Sequence, residues 1–139
     1  MYLYGVCTSD IDNYKVDGII NLMKIADVYN DCLADFTDEE MEHDMEKAIV
    51  GWALDYETEG RWGIGALLHD AIEKKEGIDL DIDDLDGHVY VGISADAPWN
   101  FKGKTRKLSE EEFNAILAQY VSLVTEDVLP IKWWNDCDW

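Results

Sequence analysis

The apolar positions of the chain recur at intervals of three and four residues in four segments, a spacing that places side chains on one face of an α-helix. The stripes run from Ile19 to Leu33, Met41 to Tyr56, Ile64 to Ile72 and Phe113 to Val124. Thr37 with Glu40, and Ser109 with Glu112, match the capping box that begins a helix. Gly77 follows the third stripe and is predicted to end that helix. The pattern therefore predicts about four helices.

Segments rich in β-branched and aromatic residues, or alternating in polarity, predict strands around these helices. The predicted strands cover residues 2–8, 78–83, 88–94 and 131–134. In the second of them Ile78, Leu80 and Ile82 alternate with aspartates, which is typical of a strand with one apolar and one acidic face. The order β-α-α-α-β-β-α-β contains no internal repeat. We therefore expect residues 1–139 to form a single acidic α+β domain, with about four helices packed on a small three- or four-stranded sheet.

The net charge of the chain limits the classes of molecule that it can bind. The 139 residues include 31 acidic and 11 basic side chains, for a formal net charge of −20. Phosphate backbones and anionic membrane surfaces repel such a chain, which argues against direct nucleic-acid binding and against membrane docking. The aromatic content of 12% argues against a disordered acidic tail. Three widely spaced cysteines, with no secretory signal and no apolar run long enough for a membrane span, predict a cytoplasmic protein with reduced thiols.

The negative charge is concentrated in two segments of the chain. Residues 27–59 hold twelve acids and one lysine, and residues 70–86 hold eight acids and two lysines. Acids four residues apart on a helix repel, and acids two apart on a strand lie about 6.6 Å apart, close to the spacing of successive phosphates. A positively charged groove would relieve this repulsion. The residues expected to bind that partner are Asp35, Asp38, Glu39, Glu42, Glu46, Asp79, Asp81, Asp83, Asp84 and Asp86.

Two features place this chain beside a known type of protein. They are the acidic helix from Asp38 to Glu46 and the acidic segment from Asp79 to Asp86, in a small chain rich in aromatic residues. The chain resembles the small acidic inhibitors encoded by phages and mobile elements, among them anti-CRISPR and anti-restriction proteins that imitate DNA. The resemblance implies a non-enzymatic, stoichiometric binder that occupies the DNA-reading or PAM-reading groove of a nuclease effector. It involves no family-defining motif and covers only part of the chain.

One basic segment departs from a pure DNA mimic. We call it the cationic loop, and its basic residues are Lys102, Lys104, Arg106 and Lys107. The loop suits a second contact with the partner, or a homodimer in which it meets an acidic face. The tryptophans near the end of the chain, Trp133, Trp134 and Trp139, predict either core packing or a dimer contact, because exposed tryptophan normally marks an interface.

Two other functions stay open at this point. The acidic residues could serve only solubility or hydration of the halophilic type. The chain could instead be a small enzyme that pairs Cys7, Cys32 or Cys137 with a histidine, although no local motif supports such a pair.

No cofactor or metal is expected from the motifs. The segment that starts at Asp79 lacks the glycine and glutamate of an EF-hand calcium loop. Glu39, His43 and Glu46 share one predicted helix face, but no second histidine lies nearby in the sequence. The glycine-rich stretch from Gly60 to Gly65 lacks the lysine of a phosphate-binding loop, so it predicts a turn or close backbone packing instead.

Overall fold

The computed structural model describes residues 2–85, 87–95 and 108–135. These residues form the predicted α+β fold, in which helices cover one face of an antiparallel sheet. The strands are β1 (Tyr2–Cys7), β2 (Glu57–Thr58), β3 (Arg61–Trp62), β4 (Asp81–Leu85), β5 (His88–Ala95) and β6 (Lys132–Asn135). The helices are α1 (Val16–Ile25), α2 (Tyr29–Ala34), α3 (Asp38–His43), α4 (Met45–Leu54), α5 (Gly63–Glu76) and α6 (Glu110–Val124).

Four strands form the main sheet in the order β4-β5-β1-β6, with every neighbouring pair antiparallel. Alternate side chains of β1 point to opposite faces. Tyr4 and Val6 join the main core under the helices, whereas Leu3 and Cys7 join Tyr90 in a smaller apolar cluster on the other face. The sheet is therefore apolar on both faces. The short strands β2 and β3 form a separate hairpin that the sequence pattern did not predict.

Helix α5 packs directly against β5, and α1 packs against α4, α5 and α6. Gly65 permits the close contact between α5 and the sheet. A Cβ atom at that position would lie 2.7 Å from a methyl carbon of Val89 and 2.8 Å from the hydroxyl oxygen of Thr8. Close packing thus explains Gly65, whereas Gly60 and Gly63 adopt left-handed φ values of 78° and 85°, as the predicted turn requires. At its other end α5 stops at Gly77, whose φ of 68° is left-handed, as predicted.

Two of the predicted helices are each divided into two. The first ends at Ile25 and resumes at Tyr29, with Asp27 between them at a positive φ of 62°. The second is interrupted at Asp44, whose φ of −131° and ψ of 30° lie outside the helical region. The prediction of continuous helices was wrong at these two points. Met41, expected in the core stripe, is 43% exposed because it lies in α3, a helix that buries no residue.

The other elements follow the predictions more closely. Both capping boxes are present, at Thr37 before α3 and at Ser109 before α6. Strand β4 begins at Asp81 and not at Ile78, although the expected alternation is visible in the burial of Ile78 and Leu80 beside the exposed Asp79. Asp86, the cationic loop, Cys137 and Trp139 lie outside the described residues. Among the helices that the structure describes, none is both long and apolar enough to cross a bilayer.

Candidate cation-binding site

The exposed acids between residues 31 and 57 form what we call the acidic helical surface. Its members are Asp31, Asp35, Asp38, Glu39, Glu42, Asp44, Glu46, Asp55 and Glu57. Within the described part of the chain, none of these carboxylates forms an ion pair with a lysine or arginine; the pair that does form joins Lys74 to Asp27, at 3.6 Å. The surface therefore keeps its negative charge toward solvent.

A cavity of about 480 Å³ opens within the acidic helical surface. Its lining residues are Val28, Asp31, Asp35, Trp52, Asp55, Tyr56 and Glu57, of which four carry a carboxylate and none of those described is basic. The rings of Trp52 and Tyr56 lie side by side, with centroids 5.6 Å apart. Carboxylates beside aromatic rings attract guanidinium and ammonium groups through charge and cation–π interaction. We call this feature the acid–aromatic cavity.

Hydrogen bonds fix the two rings of the cavity. Trp52 donates from Nε1 to Oδ2 of Asp35 at 2.7 Å, and the Tyr56 hydroxyl donates to Oδ2 of Asp70 at 2.6 Å. Burial, followed by the hydrogen bond and the negative charge of Asp70, raises the pKa of Tyr56. The Tyr56 hydroxyl therefore remains a neutral donor at physiological pH. The ring orientations are set within the protein before any ligand arrives.

Asp70 continues this polar network to His69, which is buried in α5. Nδ1 of His69 lies 3.0 Å from Oδ1 of Asp70. Nε2 lies 3.1 Å from the carbonyl oxygen of Leu80 and 3.2 Å from a guanidinium nitrogen of Arg61. Since both ring nitrogens have partners, His69 ties α5 to β3 and to the segment that enters β4. The sequence patterns did not single out His69, although a histidine within the apolar stripe of a predicted helix is a signal of such a residue.

The predicted acidic residues near β4 differ from the acidic helical surface. Asp79 and Asp84 are exposed, but Asp81 and Asp83 are half-buried. Asp81 accepts hydrogen bonds from the backbone and the hydroxyl of Ser94, and burial together with the charge of Asp81 raises the pKa of Asp83. Strand β4 packs on β5 and α5, whereas α3 packs on α4. The two predicted clusters thus belong to different layers of the fold.

The predicted helix face shared by Glu39, His43 and Glu46 was wrong. Glu39 and His43 lie in α3, but the break at Asp44 places Glu46 in α4, so the continuous helix face predicted for these three residues does not form. The Nε2 atom of His43 lies 3.9 Å from a carboxylate oxygen of its neighbour Glu42.

The two described tryptophans near the end of the chain contribute to packing within the protein. Trp133 packs edge-on against Tyr4, with ring centroids 5.3 Å apart. Trp134 donates from Nε1 to the carbonyl oxygen of Gly5 at 2.9 Å and packs against Tyr90. This confirms the core interpretation for these two residues. The predicted homodimer stays a prediction.

The two described cysteines both have a thiol pKa above its ordinary value. Cys7 and Cys32 are both buried. Burial, with a smaller contribution from the charge of Asp35, raises the pKa of Cys32 to about 11. Burial also raises the pKa of Cys7, and the carboxylate of Asp10 adds to this effect. A protonated thiol is a weak nucleophile. The sulfur of Cys7 nevertheless lies within 4.8 Å of a ring nitrogen of His88, and the Cys/His enzyme stays a prediction.

Comparison with known proteins finds no matching family model, curated protein or solved structure. The function of the chain is therefore inferred from the chemistry of its own residues.

Proposed function

We propose that this protein is a non-enzymatic cytoplasmic inhibitor, which inserts its acidic helical surface into the basic nucleic-acid-binding groove of a nuclease or other DNA-processing effector. The acid–aromatic cavity is the observation that carries the proposal. It combines four carboxylates with two ordered rings, and no described lining residue is basic. A positively charged side chain of the partner is the ligand that this composition suits.

Arginine is the best-matched side chain for the cavity. Grooves that bind DNA present arginine because its planar guanidinium can donate two parallel hydrogen bonds to a phosphate. A carboxylate accepts the same pair of bonds, and the face of an aromatic ring attracts the same cation. An arginine that normally contacts the DNA backbone therefore finds carboxylates such as Asp31 and Asp55 around the rings of Trp52 and Tyr56.

The rest of the acidic helical surface supports this contact over a longer range. Uncompensated carboxylates such as Glu39 and Glu46 create a negative field, which attracts a basic groove and accelerates association. Asp79 and Asp84, at the β4 edge of the sheet, extend the negative charge to another layer of the fold. Hydration of the surface would not require hydrogen bonds that fix the orientation of the Trp52 and Tyr56 rings, whereas binding of a cationic side chain benefits from them.

The proposal is tested by capturing partners from a host lysate on the immobilised full-length chain and measuring the binding of the identified, purified partner. We expect a DNA-processing protein whose binding weakens steeply with salt and is competed by duplex DNA. A variant that neutralises the cavity should lose at least about a hundredfold in affinity, because charge pairs at such interfaces couple strongly. The substitutions are Asp31→Asn, Asp35→Asn, Asp55→Asn and Glu57→Gln.

A control variant of the same net charge distinguishes the effect of the cavity from the effect of the overall negative charge of the protein. It neutralises four exposed acids outside the acidic helical surface, namely Asp12, Asp17, Glu111 and Glu126. We expect this variant to lose less than about tenfold, through long-range attraction only. Equal losses in the two variants would contradict a specific role of the cavity. Micromolar or tighter binding that ignores both salt and DNA would contradict the whole proposal.

A further inference from the structure

Three side chains with metal-binding chemistry meet on the face of the sheet opposite the helices. Cys7 ends β1, Asp10 ends the single 3₁₀ turn Thr8–Asp10, and His88 begins β5. The sulfur of Cys7, a carboxylate oxygen of Asp10 and a ring nitrogen of His88 all lie within 4.8 Å of one another. The three residues come from distant parts of the sequence, so no local spacing motif could have predicted the group.

The backbone that carries these residues is held in place by Ser9 and Thr8. The Ser9 hydroxyl donates to the carbonyl of Gly87 at 3.4 Å and accepts from the N–H of Val89 at 2.9 Å, which places it on both sides of His88. The Thr8 hydroxyl donates to the carbonyl of Val89 at 3.3 Å. The turn between Cys7 and Asp10 is therefore fastened to the residues that flank His88.

We propose that Cys7, Asp10 and His88 bind a divalent transition-metal ion of the zinc type, with a water molecule as fourth ligand. Thiolate, imidazole and carboxylate are the three side-chain donors that zinc uses in proteins, and three protein ligands with one open position form a common arrangement. Ligand bonds to zinc are about 2.0–2.3 Å long, so neighbouring ligand atoms in a tetrahedral site lie about 3.6 Å apart. Because all three separations are 4.8 Å or less, the group needs to contract by no more than about 1 Å to reach that geometry.

The exposure of Asp10 and His88 to solvent, and the absence of described partners for the ring of His88, both favour ion binding at this group. Cys7 is buried, whereas Asp10 and His88 are exposed, so an ion enters from solvent between the two exposed side chains and reaches the sulfur last. Among the described residues, none forms a hydrogen bond or ion pair with the ring of His88 that would have to break first. The thiol proton is released to solvent when the sulfur coordinates the metal. A net charge of −20 also raises the local concentration of cations.

A second group with metal-binding side chains, His69 with Asp70 and Glu73, lacks these properties. Both ring nitrogens of His69 already have partners, and Glu73 accepts a hydrogen bond from the backbone of Leu80 at 3.0 Å. The guanidinium of Arg61, 3.2 Å from Nε2 of His69, would repel a cation. We therefore assign the metal site to Cys7, Asp10 and His88.

The test adds Co²⁺ to the reduced full-length chain and records the absorption spectrum. A thiolate-to-cobalt charge-transfer band together with the visible bands of tetrahedral Co²⁺ is expected at one ion per chain, and Zn²⁺ should displace it. Cys7→Ser should abolish the charge-transfer band. His88→Ala, at an exposed position that leaves the core intact, should weaken binding at least about tenfold and remove any rise in Tm caused by Zn²⁺.

Matched controls distinguish this site from other sulfurs and from the acidic surface. Cys32→Ser and Cys137→Ser each remove another thiol of the chain and should leave the band unchanged. Ions held by surface carboxylates alone give no charge-transfer band. Absence of the band from the unmodified chain, its persistence in Cys7→Ser, or an unchanged Co²⁺ affinity in His88→Ala would overturn the assignment. Neither result bears on partner binding by the acidic helical surface, which uses different residues.

Discussion

Trp52 donates a hydrogen bond from its indole nitrogen to a carboxylate oxygen of Asp35 at 2.7 Å. Trp52 lies in α4 and Asp35 directly follows α2, so this bond joins two elements that a tight turn and a short helix separate in the chain. It also sets the plane of the indole ring in the acid–aromatic cavity. One contact thus contributes to both the packing of the helices and the shape of the candidate site.

Trp52→Phe should lower the free energy of unfolding by about 1–2 kcal/mol, because it removes this hydrogen bond to a charged group while retaining an aromatic ring. Urea denaturation monitored by far-ultraviolet circular dichroism measures the change. Trp62→Phe is the control, since Trp62 is 58% exposed, and it should change stability by less than about 0.5 kcal/mol. Equal effects of the two substitutions would show that the bond to Asp35 contributes little.

The crossing of α1 and α6 depends on the absence of a side chain at Gly18. A Cβ atom there would overlap the backbone carbonyl of Leu123. Gly18→Ala should therefore destabilise the protein by about 1–3 kcal/mol or more, through forced separation of the two helices. Gly51→Ala is the matched control, because it lies inside α4 with nothing within 4 Å of the added carbon. It should be neutral or stabilising by up to about 1 kcal/mol. Thermal denaturation of both variants checks the pair of predictions.

The two capping boxes should differ in their effect on global stability. Ser109 caps α6, which buries core residues such as Phe113 and Leu117, whereas Thr37 caps α3, which buries none. Ser109→Ala should therefore lower the global free energy of unfolding by about 1 kcal/mol. Thr37→Ala should leave global stability nearly unchanged and instead accelerate amide hydrogen exchange over residues 38–43. A global loss of equal size in both variants would indicate that α3 unfolds only together with the core.

The free energy of unfolding should decrease at alkaline pH, because the unfolded chain loses the Tyr120 proton more easily than the folded protein does. Burial, with the charge of Glu76 as a second cause, raises the pKa of Tyr120 to about 12, and its hydroxyl donates to Glu76 at 3.2 Å. The folded state thus retains this proton above the pKa of an unfolded tyrosine, about 10. The stabilisation is fully present below pH 10 and is lost as pH rises toward 12, at up to about 1.4 kcal/mol per pH unit.

Tyr120→Phe removes this ionisation and checks the prediction. Between about pH 10 and 12 the free energy of unfolding should decrease less steeply in the variant than in the unmodified protein. Parallel curves over this range would mean that Tyr120 ionises equally easily in the folded and unfolded chains. Near neutral pH the variant should differ only by the loss of one hydrogen bond, about 1 kcal/mol.

Local sequence signals determined most of the secondary structure. The apolar stripes of α5 and α6, the two capping boxes and the stop at Gly77 act through contacts within about four residues, so a single segment contains the information. The same signals did not predict the breaks at Asp27 and Asp44. Apolar periodicity continues across both breaks, so this signal does not mark where the backbone turns.

The sequence by itself also determined that the chain is strongly acidic and where its carboxylates are concentrated. Only the tertiary structure decided which of these carboxylates lie close together. Asp31 and Asp35 line one cavity with Asp55, and the hydrogen bond from Trp52 to Asp35 joins α4 to the end of α2 there, while Asp81 is half-buried at the edge of the sheet. Cys7 meets His88 because β1 pairs with β5. Strand pairing and helix packing bring together residues that are distant in the chain, and no short-range sequence pattern predicts those contacts.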